Sequence, residues 1–121
     1  ISIRESMEEE NLGVNNFITA NIYYSLGDFT NAIIYGIKSL GLFRLHDMSN
    51  FEGKLLALLA DLYMLLGQYE KMNKYIAESE SIMKDFNDSF ILGKLELAKS
   101  KYYLSIDKKS TALEHKYSIL S

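Results

Sequence analysis

The side chains most able to bind a metal or transfer a proton are sparse in this sequence. Its two histidines, His46 and His115, stand in unrelated sequence contexts, and neither belongs to a metal-ligand motif. Asp85 and Asp88 stand at the two ends of the stretch "DFND" between two predicted helices, where a carboxylate commonly caps a helix. The chain contains no cysteine, which excludes thiolate metal sites, disulfides and cysteine nucleophiles.

Motifs for catalysis and cofactor binding are also missing from the sequence. It has no G-x-G-x-x-G, no phosphate-binding loop and no serine in a nucleophile elbow. We therefore expect a protein that is not an enzyme and that holds no metal or other cofactor. Its many aromatic residues could stack on nucleobases, but several of the tyrosines recur at one fixed interval, which favours core packing over RNA binding.

Composition and charge narrow the class of protein further. A chain of 121 residues with 48% hydrophobic content suits a single domain with a core of ordinary size. The longest apolar run, residues 55–66, contains Asp61 and is shorter than the roughly 20 residues that span a bilayer. A net charge of only -3 gives no reason to expect nucleic acid as a partner. We expect a cytoplasmic protein that binds neither nucleic acid nor membrane.

A repeat with an interval of 40 residues runs through the chain. The interval aligns Gly27 with Gly67, and no insertion is needed to extend the alignment in either direction. The other aligned sets are Gly13, Gly53 and Gly93; Ala20, Ala60 and Ser100; Tyr23, Tyr63 and Tyr103; and Ala32, Met72 and Ala112. Self-similarity at a fixed interval of this length is typical of proteins built from stacked structural units.

Each unit divides into two amphipathic helices. Apolar residues recur at helical spacing on both sides of the turn glycine, which supplies the positive φ that ends the first helix. Asp28 can cap the second helix of unit one, and Ser49 with Glu52 has the spacing of a capping box in unit two. In unit three Asp107 replaces the turn glycine. The predicted helices are 11–26, 29–45, 51–66, 69–85, 90–105 and 108–120, with no strand.

Small and aromatic residues at fixed repeat positions predict how these helices pack. Ala20, Ala60 and Ser100 are placed where two helices would cross closely. Tyr23 and its aligned tyrosines are expected to fill the space between neighbouring helix pairs. A helix pair of this size cannot bury its apolar face alone, so successive pairs must stack.

Two stretches carry a family resemblance. "ANIYYSLGDFTNAIIYGIKSL" and "ADLYMLLGQYEKMNKYIAES" resemble tetratricopeptide repeats, with a small residue, a tyrosine, a glycine before a polar and an aromatic residue, and then alanine or methionine. "SKYYLSIDKKSTALEHKYSI" keeps the spacing but lacks the glycine. The resemblance implies an all-α fold in which antiparallel helix pairs stack as a right-handed α-solenoid. The interval also lies at the lower edge of armadillo and HEAT repeats.

The resemblance also implies a domain organisation. Three helix-pair repeats would occupy residues 11–50, 51–90 and 91–121, and residues 1–10 would be the end of a preceding helix. We expect the chain to be a fragment of a longer protein. Long-interval variants are similar to sensor regions of bacterial signalling proteins, found with diguanylate cyclase, histidine kinase or transcription-regulator modules.

The function implied by the resemblance is the binding of a protein or peptide in a groove lined by the first helix of each unit. The groove residues it assigns are Phe17, Asn21, Tyr24, Asp61, Met64, Leu65, Lys94, Leu97 and Lys101. Because residues 91–121 carry a net charge of +3 from six lysines and three carboxylates, the expected ligand is an acidic segment. The alternative function is a structural homodimerisation module that has no soluble ligand.

Overall fold

The computed structural model describes residues 2–120, and the side chains of residues 2–107. Residues 2–120 fold into helices and turns and contain no strand, which confirms the all-α prediction. None of the helices in this range is long and apolar enough to cross a membrane. The helices are α1 (Ile3–Ser25), α2 (Phe29–Leu45), α3 (Ser49–Leu65), α4 (Tyr69–Phe86) and α5 (Ser89–Leu120).

The turns within the two helix pairs have the same backbone geometry. Gly27 and Gly67 take φ values of +79° and +73°, in the left-handed region that glycine enters without steric cost. In the first turn the Asp28 N–H donates to the Tyr23 carbonyl, and in the second the Gln68 N–H donates to the Tyr63 carbonyl, at 2.9 Å in both. The predicted glycine turns are therefore confirmed, and each lets the second helix fold back on the first.

The connections that follow α2 and α4 also match at the interval of 40 residues. Asp47 and Asn87 both adopt left-handed backbone, with φ values of +53° and +52°. Their N–H groups donate to the carbonyls of Arg44 and Lys84 at 3.4 and 3.3 Å. Aspartate and asparagine are the residues other than glycine that tolerate this conformation best. The repeat therefore governs the links between units as well as the units themselves.

A buried hydrogen bond joins the two helices of each pair at equivalent positions. The Ser39 hydroxyl donates to the Gly13 carbonyl at 2.6 Å, and the Ser79 hydroxyl donates to the Gly53 carbonyl at 2.7 Å. Such a bond satisfies a buried hydroxyl that would otherwise lose its solvent partners. The same kind of contact therefore joins the two helices within each pair.

Stacked tyrosines mark the same correspondence. Tyr23 stacks on Tyr35 and Tyr63 stacks on Tyr75, with ring centres 5.5 Å apart in both cases. Each stack joins the two helices of one pair, and the prediction that these tyrosines also fill the space between neighbouring pairs stays a prediction. The small residues behave as predicted in units one and two, where Ala20 and Ala60 are fully buried.

The first helix of each unit lies beside the next. α3 packs on its partner α4 and on the preceding α2, and it also contacts α1 and α5. Its leucines at positions 55, 56, 59 and 62 are fully buried and form the centre of the core. Because α1, α3 and α5 are neighbours in this order, side chains from all three can line one surface.

α1 is longer than the sequence analysis predicts. It begins at Ile3, where the Ser2 hydroxyl caps it by accepting a bond from the Glu5 N–H at 3.2 Å. The predicted start at residue 11 is wrong, and residues 3–10 belong to α1 rather than to a separate helix. No residue near Glu10 breaks the helix, and Gly13 is simply one of its buried residues.

α5 is the largest departure from the prediction of six helices. It continues through Asp107 to Leu120 as one helix of 32 residues, so the predicted break between 105 and 108 is wrong. The physical reason is local: unit three has no glycine at the place where Gly27 and Gly67 reverse the chain. An α-helix of this length spans about 48 Å.

Of the caps predicted for α2 and α3, only the cap of α2 forms. Asp28 caps α2 by accepting a bond from the Asn31 N–H at 3.2 Å, as expected. The capping box of Ser49 and Glu52 is absent, because α3 already begins at Ser49. Glu52 instead accepts a bond from Arg44 at 3.2 Å and joins α3 to α2.

Candidate functional site

A cleft of about 190 Å³ lies where α1, α3 and α5 meet. It is smaller than the roughly 300–1,000 Å³ of pockets that hold drug-sized ligands, so its volume suits one large side chain of a partner. The lining residues come from the three first helices of the repeat: Asn21, Tyr24, Ala57, Leu58, Asp61, Lys94, Leu95, Leu97, Ala98 and Lys101.

A hydrogen bond between two helices forms one wall of the cleft. The Tyr24 hydroxyl of α1 donates to the Asp61 carboxylate of α3. This bond, with partial burial and the negative charge of Asp61, raises the pKa of Tyr24 from 10.0 to about 12. The Tyr24 hydroxyl keeps its proton at neutral pH and holds the Asp61 carboxylate in a fixed position.

Two lysines on α5 form the opposite wall. Lys94 and Lys101 are seven residues apart, which places them on one face of the helix two turns from each other. Both are exposed, and the Lys94 ammonium lies 5.5 Å from the centre of the Phe90 ring. This wall can attract a negatively charged group of a ligand from solvent.

The floor of the cleft is apolar. Leu95 and Ala98 belong to the hydrophobic core and are only 1% and 8% exposed, and Leu58 is partly buried. Leu97 is 56% exposed at the rim, so a bound side chain could cover it. The cleft therefore combines an apolar floor with charged groups of both signs at its edge.

The structure brings six of the nine predicted groove residues together in this cleft: Asn21, Tyr24, Asp61, Lys94, Leu97 and Lys101. Three do not line it. Phe17 is partly buried and packs edge-on against Phe43, with ring centres 5.9 Å apart. Met64 is also partly buried against the core, and Leu65 lies exposed at the end of α3.

Four lining residues are not among the nine predicted groove residues: Ala57, Leu58, Leu95 and Ala98. Leu58 and Ala98 are 40 residues apart, so the repeat interval carried a signal for both. Leu95 carried none, because its helical position is that of a core residue, and it is only 1% exposed.

The groups that could have formed another site serve the fold instead. His46 lies between α1 and α2, with Nε2 2.7 Å from the Glu9 carboxylate and Nδ1 3.3 Å from the Ser6 hydroxyl. Asp88 accepts a bond from the Ile91 N–H at 3.1 Å and caps α5. Within the described side chains, no three His, Asp or Glu residues are placed to hold a metal ion.

The predictions about His115 and about the side chains of the sixth helix, at 108–120, lie outside the described side chains, which end at residue 107. The predicted domain boundaries stay predictions.

No protein-family model, curated protein or solved structure matches this chain. Its function is therefore argued from the geometry of the cleft and from the repeat that builds it.

Proposed function

We propose that this chain is a non-catalytic, tetratricopeptide-like helical-repeat module that binds a segment of another protein in the cleft between α1, α3 and α5. The observation that carries the proposal is the composition of that cleft. An apolar floor of one side chain's volume lies between two lysines and a carboxylate whose position is fixed by Tyr24.

The proposed architecture is a right-handed α-solenoid of antiparallel helix pairs. Its support is the agreement between the two pairs in turn geometry, serine hydrogen bonds and tyrosine stacks at the interval of 40 residues. The adjacency of α1, α3 and α5 adds to this support, because stacked pairs present their first helices on one side.

The proposed ligand is an acidic segment that carries a large apolar side chain. The apolar side chain would enter the cleft and cover Leu97. Burial of this apolar surface would favour binding through the hydrophobic effect. Acidic groups beside it would face Lys94 and Lys101, while Asp61 would repel them and so fix the orientation of the segment. A cleft this small holds an anchor residue, and the rest of the segment would lie along the helices.

The wider role we propose is the regulatory or sensory part of a bacterial signalling protein in the cytoplasm. Its support is the resemblance of the turn stretches "SLGDFTNA" and "LLGQYEKM" to the repeats found in such proteins.

The proposal can be tested by panning a random-peptide phage library on the 121-residue chain. A counter-selection with the variant Ala57→Phe, which fills the cleft from α3, should remove the specific binders. A matched control is Ala77→Phe, which adds the same group at an exposed position of α4. We expect the enriched peptides to carry a large apolar residue beside aspartate or glutamate, and to bind the wild type and Ala77→Phe but not Ala57→Phe. Equal binding to all three chains would contradict the proposal.

A further inference from the structure

One face of α5 is bare where the equivalent faces of α1 and α3 are covered. Ala20 and Ala60 are fully buried, but the aligned Ser100 is exposed. Tyr63 is 7% exposed, whereas the aligned Tyr103 is 62% exposed. Unit three therefore lacks the second helix that closes units one and two.

The glycine positions show the same difference. A Cβ atom added to Gly13 would lie 3.1 Å from the Phe43 ring, and one added to Gly53 would lie 2.9 Å from the Met83 methyl group. At Gly93, no heavy atom of the described part of the chain lies within 4 Å of that point. We call Gly93, Ser100 and Tyr103 the open face of α5.

The repeat identifies the segment that should cover this face. In units one and two, the buried residues Ala32 and Met72 belong to the second helix, and the interval of 40 residues aligns Ala112 with both. Residues 108–120 are thus the sequence equivalent of α2 and α4. By the pairing that places Ser39 on Gly13 and Ser79 on Gly53, residue 119 would face Gly93 and residue 112 would face Ser100.

Charge supports the same pairing. In unit two, this pairing sets Leu56 opposite Ile76, and both are buried. In unit three, it sets Glu96 opposite Lys116, so an apolar pair is replaced by two opposite charges. Opposite charges at one contact of a helix pair favour that register over others.

Residues 108–120 cannot cover the open face of their own chain while α5 is continuous. A helix that runs straight through Asp107 carries these residues along its axis, away from the face at Gly93 and Ser100. Glycine takes a positive φ at no steric cost, as at Gly27 and Gly67. Aspartate can adopt it, as Asp47 does, but only against a steric cost that glycine does not have. The replacement of the turn glycine by Asp107 therefore favours a continuous helix over a turn at this position.

We propose that two copies of this chain exchange residues 108–120. The two α5 helices would pair antiparallel and cross near Asp107, so that residues 108–120 of each copy cover the open face of the other. Domain swapping of this kind reuses the contacts of a closed unit and needs no new surface. The exchange involves a face of α5 other than the cleft, so it stands or fails separately from the proposed peptide binding.

The role of Asp107 in the exchange is tested by the mass of the 121-residue chain in solution at high micromolar concentration. We expect sedimentation equilibrium to give twice the 13.9 kDa of one chain for the wild type. Asp107→Gly should restore the turn and give a monomer. The matched control Asp107→Ala also removes the carboxylate but keeps a straight helix, so it should stay dimeric. A monomeric wild type, or the same mass for Asp107→Gly and Asp107→Ala, would overturn the proposal.

A cross-linking experiment tests whether residues 108–120 are exchanged between chains. Because the chain has no native cysteine, disulfides can form only between the introduced cysteines. Ser100→Cys chains and Ala112→Cys chains are unfolded together, refolded and oxidised. We expect a disulfide between the two kinds of chain, and little cross-linking when Ser25→Cys replaces Ser100→Cys. A chain that carries both Ser100→Cys and Ala112→Cys should cross-link as a dimer. If it instead forms the disulfide within one chain, residues 108–120 fold back on their own unit and the exchange is wrong.

Discussion

The Tyr24 hydroxyl donates a hydrogen bond to the Asp61 carboxylate and so joins the first helices of units one and two. At the next junction, the interval of 40 residues aligns these two residues with Met64 and Lys101. A thioether is at most a weak acceptor, so the bond is not repeated, and Lys101 stays exposed on the wall of the cleft. The charged residues of the cleft, Asp61 and Lys101, occupy equivalent repeat positions but carry opposite charges.

The first prediction concerns the ionisation of Tyr24. Its pKa is about 12 in the folded chain and 10.0 for a free tyrosine, so the folded state favours the protonated form. This contribution to stability is complete below pH 10 and is lost as the pH rises through about 12. Asp61→Asn should lower the titration midpoint of the Tyr24 ring carbon, followed by NMR, toward 10.0.

Tyr63 is the internal control for this titration. Burial is the main cause that raises the pKa of Tyr63, followed by the neighbouring Tyr75, and neither depends on Asp61. Its midpoint should therefore stay unchanged in Asp61→Asn. An unchanged Tyr24 midpoint in that variant would mean that the two residues are not bonded in solution.

The second prediction tests the glycine turn. Gly67 has a φ of +73° and open space around it, so Gly67→Ala introduces backbone strain without a clash. We expect a loss of about 1 kcal/mol in the free energy of unfolding, measured with urea. Gly41, inside α2, also has open space, and Gly41→Ala should instead stabilise the helix by roughly 0.5–1 kcal/mol. Equal effects of the two substitutions would exclude a left-handed turn at Gly67.

The third prediction tests the packing of unit two. Ala60 is fully buried, so Ala60→Leu should overpack the core and lower the free energy of unfolding by about 1–3 kcal/mol. Ala77→Leu adds the same atoms at an exposed position of α4 and should have little effect. Circular dichroism should show that both variants remain helical. If Ala60→Leu melts at the wild-type temperature, Ala60 does not lie between helices.

The fourth prediction concerns charge at the cleft. For a peptide selected by panning, Lys94→Glu with Lys101→Glu should weaken binding by about tenfold at low ionic strength, since each exposed charge pair contributes up to ~1 kcal/mol. The loss should shrink at high salt, which screens exposed charges. Isothermal titration calorimetry at two salt concentrations measures both effects.

Two controls separate charge from apolar contact in that experiment. Lys74→Glu with Lys84→Glu makes the same change in net charge on exposed positions of α4, and it should have little effect on affinity. Leu97→Ala should weaken binding at both salt concentrations, because salt does not screen the burial of an apolar side chain. Equal losses from the two lysine pairs would indicate an effect of net charge rather than of the cleft.

The helices of units one and two were predictable because local signals define their ends. Gly27 and Gly67 can only be turns in this pattern, and the bounds of α2 follow from the apolar spacing between Asp28 and His46. Asp107 gives no such signal, since aspartate occurs both in turns and on exposed helix faces. The continuity of α5 therefore could not be deduced from the repeat alone.

The cleft was predictable to the extent that the repeat places residues on one side of the helices. Asn21 and Asp61 are aligned by the interval, and both line the cleft. Phe17 shows the limit of the argument, because it occupies the same helix side but is drawn into contact with Phe43 of α2. Helical position predicts a direction, whereas exposure depends on which neighbouring helix covers that direction.

The central claim is that the cleft between α1, α3 and α5 is the binding site. The most direct measurement is the change in backbone amide NMR shifts of the labelled chain when the tightest peptide from the panning is added. The account predicts the largest changes around Asn21, Asp61, Leu97 and Lys101. Largest changes on the outer helices, around Tyr35 and Tyr75, would contradict it.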